Sequence, residues 1–270
     1  MVEEKERKST GPRFGEEDRE LSYGTYLRVP EILQLQTLLS DPPAHDELLF
    51  IVIHQAYELW FKQLLFELES IRVCLFEGDT RRARHYLRRV HTIDRLLIEQ
   101  IPILETMSPQ EFLEFRHNLA PASGFQSVQF REVECISGLK EPGTAQRLGE
   151  QPEEQARLQR RLEEPTLWDA FCSVMERNGF PMPSDDVETR RASLLRVMHD
   201  EGTYTELFAV SDSLLTHDEL IATWRARHVL MVERQIGSKT GTGGSTGVSY
   251  LKTTLDKRFY PELWDIRTYL

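Results

Sequence analysis

Apolar residues recur along most of this chain at intervals of three and four, the spacing that gathers them on one face of an α-helix. The longest run starts at Asp46. Phe50, Ile53, His54, Tyr57, Trp60, Phe61, Leu64, Leu68 and Ile71 predict one long helix, which Gly78-Asp79 stops. A second long helix follows, with Ala83, Leu87, Val90, Ile93, Leu97 and Ile101 on its inner face. Ser108-Pro109-Gln110-Glu111 is a capping box with proline at the first helical position, so another helix begins there. Nearer the start, Tyr23-Gly24-Thr25-Tyr26-Leu27 opens an apolar-periodic stretch. Ile32, Leu33, Leu35, Gln36 and Leu39 then predict a short helix ending at Ser40-Asp41-Pro42-Pro43.

The second half reads similarly. Residues 125–136 alternate less and are compatible with a helix, while residues 138–155, rich in glycine, proline and charge, read as a surface loop or variable insert. Leu167 to Met175 is helical and stops at Asn178-Gly179, and Val187 to Leu215 is helical with an interruption around Gly202. Thr216-His217-Asp218-Glu219 reads as a second capping box, opening the helix that carries His228 and ends at Gly237 as a left-handed C-cap. A glycine-rich stretch, Gly241-Thr242-Gly243-Gly244-Ser245-Thr246-Gly247, precedes an amphipathic C-terminal segment. Nowhere do β-branched residues alternate between hairpin turns. The expected fold class is all-α: a single-domain bundle of long helices over residues 21–270, preceded by a flexible polar segment over residues 1–20.

A net charge of −11 leaves no broad basic surface for a nucleic-acid backbone. The local cluster Arg81, Arg82, Arg84, Arg88 and Arg89 reads as a solvated helix face. The first ten residues mix both charge signs without an apolar core, unlike a signal peptide. The longest apolar run, Leu48 to Ile53, is far shorter than the ~20 residues that span a bilayer, so no membrane contact is expected. Cys74, Cys135 and Cys172 have neither CxxC nor zinc spacing, which fits a reducing cytoplasm.

Four features could carry chemistry. His54 sits mid-helix on an apolar face, either as a satisfied core histidine or as a pocket histidine presenting one nitrogen to a ligand. Leu220, Trp224, His228 and Met231 share one stripe of a helix from which Arg225, Glu233 and Arg234 point away. An inward neutral imidazole there serves the core or ligates haem iron; no HExxH is present, so a zinc-protease reading fails. Arg116 is a surface arginine paired with a nearby glutamate, or a fork that grips a carboxylate in two places. Residues 241–247 form neither a P-loop nor a dinucleotide fingerprint. They are a linker, or a loop whose backbone approaches a small ligand, with Thr242 or Ser245 donating hydrogen bonds.

Several runs together resemble the tryptophan 2,3-dioxygenase family. They are Tyr23-Gly24-Thr25-Tyr26-Leu27, the stretch from His45 to Gln63 containing HQAYELWFKQ, Ser123-Gly124-Phe125-Gln126-Ser127, and Gly241-Thr242-Gly243-Gly244-Ser245. The resemblance spans residues 21–270 and is weakest over 138–155. It implies an all-α enzyme that binds haem b between long helices and uses O2 to open the indole ring of L-tryptophan, giving N-formyl-L-kynurenine. His228 would be the proximal iron ligand and His54 the distal histidine, accepting a hydrogen bond from the indole N–H. Phe50 would pack on the indole. Arg116 would clamp the substrate carboxylate, and Thr242 would bond the ammonium and carboxylate ends. Ser123 would hydrogen-bond a haem propionate, while Leu119 and Gly241 would line the pocket. Tyr23, Tyr26 and Leu27 would close it from a neighbouring subunit of a homotetramer.

Two positions depart from the family pattern. Phe112 stands where some bacterial relatives carry tyrosine, and Thr246 replaces a commoner serine. Two other classes compete: a different haem protein, such as a gas sensor, and a helical scaffold without a cofactor. A sensor needs no amino-acid clamp, so Arg116 with Thr242 separates it from the dioxygenase. A Soret band separates the scaffold from both.

Overall fold

The computed structural model describes residues 21–143, 151–244 and 246–270. The described backbone divides into two units, the first ending at Thr37 and the second spanning residues from Leu38 to Leu270. The flexible segment expected over residues 1–20 and the hydroxyl of Ser245 lie outside the described residues. No strand occurs among the described residues, so the all-α expectation holds.

In the smaller unit, α1 (Tyr23–Leu27) starts from a capping box between Ser22 and Thr25. It stops at Arg28, a non-glycine residue in the left-handed region with φ 52°, and α2 (Val29–Ile32) begins immediately after. The short helix predicted to run to Leu39 is therefore absent. Within the larger unit the backbone N–H groups of Leu39 and Ser40 instead donate to the buried Glu47 carboxylate, at 2.7 and 3.0 Å. Those bonds hold an irregular segment that apolar periodicity alone does not reveal.

The larger unit is built on three helices: α3 (Glu47–Glu77), α4 (Thr80–Leu104) and the helix carrying His228. Leu64, Leu68, Ile71 and Leu75 of α3 meet Ala83, Leu87, Val90 and Leu97 of α4, all with no exposed surface. Each leucine, isoleucine or valine among them contributes roughly 1.5–3 kcal/mol on burial. Gly78, at φ 85°, ends α3 where the sequence placed the stop. Next come α5 (Pro109–Arg116), opened by the predicted Ser108–Glu111 capping box, and α6 (Val128–Ser137). They are followed by α7 (Pro152–Glu163), α8 (Leu167–Arg177) and α9 (Val187–His199). The expected insert over 138–155 is thus shorter than predicted, because Pro152 at a helix N-terminus starts α7 inside it.

The main difference lies in α10, which runs unbroken from Thr205 to Ile236. Thr216 caps nothing; its hydroxyl donates to the Asp212 carbonyl one turn back, at 2.9 Å. His217 and Asp218 are polar for tertiary reasons. His217 Nδ1 donates to the Asp94 carboxylate of α4 at 2.7 Å, and its Nε2 lies 3.1 Å from Ser137 Oγ of α6. Asp218 Oδ2 accepts from the backbone N–H of Phe259 and Tyr260 and from the Trp264 indole, at 2.9, 3.0 and 2.9 Å. All of Asp94, Ser137, His217 and Asp218 have no exposed surface, so these bonds pin α4, α6 and the C-terminal segment to α10. At the far end Gly237 has φ 57° and ψ −131°, a positive-φ stop but not the left-handed helical cap predicted. The C-terminal segment contains α11 (Val248–Lys252) and α12 (Pro261–Asp265). Among the described residues no helix is long and apolar enough to cross a membrane.

Candidate active site

One large cavity opens in the larger unit. Its walls come from α3, the C-terminal end of α4, α5, α6 and α10, with the segments 123–127 and 241–254 closing the rim. Phe50, His54, Arg116, Ser123, His228, Gly241 and Thr242 all line it, so residues drawn from five separate stretches of sequence meet in one place. Leu119 does not reach the wall; it packs against the main core. Tyr23, Tyr26 and Leu27 lie on α1 in the other unit, where they are 78, 72 and 40% exposed.

The two imidazoles are held differently. His54 Nδ1 sits 2.7 Å from the carbonyl of Phe50, one turn earlier on α3. A carbonyl only accepts, so Nδ1 carries the proton, and Nε2 of the neutral ring keeps its lone pair. Burial lowers the His54 pKa, against a raising effect from the Phe50 bond and from Glu58. His228 makes no hydrogen bond among the described residues, and its ring stacks on Trp224 one turn earlier, with centroids 5.2 Å apart and planes 7° off parallel. Burial, with a smaller contribution from His54, lowers its pKa to about 4. Both rings are therefore neutral at pH 7, the state in which imidazole nitrogen binds metal or accepts a proton.

Among the described residues no three His, Cys, Asp or Glu side chains cluster to hold a metal ion. A lone neutral imidazole in an aromatic cavity instead suits an iron that arrives in a macrocycle supplying its own in-plane ligands. The residues present fit a haem on that ground.

The rim carries the polar groups. Arg116 donates to the Thr240 carbonyl, and no carboxylate pairs with it among the described residues. The surface ion pair considered for Arg116 is not made, and its guanidinium is available to an anion. Thr242 Oγ1 donates to the Ala122 carbonyl at 2.6 Å, which commits its proton and leaves the oxygen as an acceptor. The glycines let these segments meet. A Cβ on Gly243 would come within 2.7 Å of Ser123 Cβ. Gly247 has φ 62°, and a Cβ there would lie 2.5 Å from the Lys239 carbonyl oxygen. Phe50, Phe112 and Phe115 form an aromatic cluster beside His54, with centroids 5.5–5.8 Å apart.

One wall group escaped the sequence reading. Arg225 does not point away from the His228 stripe: its side chain is 3% exposed and donates to Glu134 of α6 at 2.7 Å. Arg131 approaches the same carboxylate from the other side, at 2.5 Å. All three line the cavity. The available signal was the three-residue step from Arg225 to His228, one helical turn, which puts both on adjoining faces.

The family model for tryptophan 2,3-dioxygenase matches residues 8–178 and 183–270. The chain belongs to the tryptophan 2,3-dioxygenase family. A tryptophan 2,3-dioxygenase from Nocardioides sp. is 56% identical over 262 residues, covering 95% of this chain and 97% of that one. Those from Herpetosiphon aurantiacus and Caulobacter vibrioides are 45% and 41% identical, over 92% and 93% of this chain and 97% and 99% of theirs.

Proposed function

We infer that the protein is a tryptophan 2,3-dioxygenase: it cleaves the indole C2–C3 bond of L-tryptophan with O2, giving N-formyl-L-kynurenine. Both oxygen atoms stay in the product and no external electrons are consumed. The observation that carries the site assignment is the pair of neutral imidazoles, His54 and His228, lining one cavity from two different helices, with an arginine that no carboxylate pairs at its rim.

Haem b, when bound, supplies the redox-active iron that activates O2, chemistry that no side chain here provides. His228 would hold the iron, since its nitrogen is neutral and unencumbered. Ser123 at the rim would hydrogen-bond a propionate. The substrate's indole N–H would donate to His54 Nε2, the lone pair that the Phe50 carbonyl bond leaves free. Arg116 would grip the carboxylate, and Thr242 Oγ1 would accept from the ammonium group while its own hydrogen stays donated to the Ala122 carbonyl. Phe50 offers a face for the indole. Fixing both ends of the amino acid supplies much of the rate, because the reacting bond is then held in place. His54 positions more than it deprotonates, indole N–H being a very weak acid.

Gly241 lines this pocket; Leu119, packed behind the wall, acts through the core. Tyr23, Tyr26 and Leu27 would close the pocket of a neighbouring subunit in a homotetramer. None of α1 is buried, and α3 exposes Val52, Leu59, Phe66 and Val73 at seven-residue intervals, 44–63% accessible, which suits a face covered by a second copy. The three unpaired cysteines accord with work in the cytoplasm.

The test is reconstitution of the purified protein with haem, followed by L-tryptophan in air. Accumulation of formylkynurenine is expected. His228→Ala should lose both the Soret band and turnover, and His54→Ala should keep residual activity. A fully haem-loaded, active His228→Ala variant would overturn the ligand assignment.

A further inference from the structure

The Arg131–Glu134–Arg225 group is assigned none of the substrate contacts proposed above, yet it lines the cavity wall. Arg225 lies one turn before His228 on α10, while Arg131 and Glu134 lie one turn apart on α6. Glu134 is 6% exposed, Arg225 3% and Arg131 12%. Arg225 is further fixed by a 3.1 Å bond to the Lys257 carbonyl and by the Phe259 ring, 5.3 Å away. Arg131 lies over the Phe125 and Phe130 rings, at 5.4 and 4.9 Å, and its buried Nε has no partner. Two guanidinium groups share one carboxylate, so the set carries one net positive charge inside an aromatic wall.

Buried charge of this kind is seldom the most stabilising way to fill a wall; apolar side chains of similar volume commonly do as well or better. Its retention beside the iron-binding position points to an electrostatic role. We propose, resting on the haem reading above, that Arg131, Glu134 and Arg225 are positioning residues that set the electrostatic balance of the haem cavity and bias bound iron toward the ferrous state. Ferrous iron carries one positive charge fewer than ferric iron. A net positive wall in a medium of low dielectric therefore favours it. A reaction that draws no external electrons has to start from the reduced state and remain there between turnovers, so such a bias serves it directly.

The test is a reductive titration of the haem-loaded full-length protein, in which one electron from a mediator converts ferric to ferrous iron. Glu134→Gln keeps the shape and raises the set to a charge of two, so the ferrous-to-ferric ratio at a fixed potential should rise about tenfold, equal to about 59 mV for a one-electron couple. Arg225→Met brings the set to zero and should lower the ratio similarly. If that variant does not fold, Arg131→Met makes the same charge change. The double variant Glu134→Gln with Arg225→Met restores a charge of one, and its potential should return toward that of the parent.

A purely structural set gives a different pattern. Glu134→Gln would then weaken both contacts of the shared carboxylate and Arg225→Met would remove one, their shifts would share a sign, and the double variant would recover nothing. That pattern, or unchanged potentials throughout, overturns the proposal while leaving the haem reading intact. A parent protein that takes up no haem and shows no Soret band overturns both.

Discussion

Replacing His228 with leucine in the haem-free protein isolates the cost of burying that imidazole. In the unfolded chain the ring takes up a proton near pH 6.5, whereas in the folded protein burial delays this to about pH 4. Between those values the unfolded state binds more protons than the folded one, so stability falls as the pH falls. The contribution is fully present above pH 6.5, is lost progressively on the way down to about pH 4, and changes no further below that. At about 1.4 kcal/mol for each pH unit, the interval corresponds to about 3 kcal/mol.

Leucine takes up no proton and keeps the ring's apolar contacts with Trp224 in part. The difference in unfolding free energy between variant and parent should therefore be level above pH 7 and shift in the variant's favour by about 3 kcal/mol as the pH is brought to 4. Other titrating groups are common to both proteins and cancel in the difference. Urea denaturation followed by far-ultraviolet circular dichroism, repeated across that range, reads it directly. A difference that stays constant with pH would refute the claim that His228 is held neutral by burial. It would also remove the reason for expecting a ready iron ligand at pH 7.

Arg116→Ala should weaken tryptophan binding by the worth of a charge-assisted pair, about 1.5–3 kcal/mol; a titration in which the variant still prefers tryptophan to tryptamine would contradict the clamp. Gly247→Ala forces a side chain into a positive-φ position and against the Lys239 carbonyl. It should cost about 1–3 kcal/mol and raise the KM for tryptophan, both readable from a thermal melt and steady-state kinetics. Asp218→Ala strands three buried donors, on Phe259, Tyr260 and Trp264. It should cost about 3 kcal/mol or more, with Asp218→Asn losing less; an alanine variant as stable as its parent would deny Asp218 this role.

What was legible in the sequence follows the physics of each signal. The edges of α3 and α5 were readable because Gly78 and the Ser108–Glu111 box act within one turn of backbone. Thr216-His217-Asp218-Glu219 misled for the opposite reason. It has the composition of a cap, but its two central residues bond to Asp94 and Phe259, more than a hundred and some forty positions away. No local rule separates a polar residue that ends a helix from one that pins its middle. Leu33 to Leu39 failed similarly, since the Glu47 carboxylate that holds the backbone of Leu39 and Ser40 belongs to the next element. Within the site, His54 and His228 were ambiguous as single residues and became informative only through the family runs around them. Arg225 was misassigned because its partner, Glu134, sits 91 positions earlier.

The two sides of the cavity are supported differently, and this bears on how it works. The imidazoles stand on helices of 31 and 32 residues. The buried Asp94–His217–Ser137 chain locks α10 to α4 and α6 three turns before His228. The wall that carries His228 is therefore held by the bundle itself. Arg116 and Thr242 are secured by single bonds to the backbone carbonyls of Thr240 and Ala122, on irregular segments. Thr240 and Ala122 are exposed and outside any helix, and irregular segments of this kind open at a lower free energy than long packed helices. On the proposed assignment, a tryptophan that makes both end contacts would order the rim, and an analogue lacking the carboxylate would not. Discrimination would then arise where the protein can still adjust, while the geometry around the reacting bond would be set by the helices that cannot.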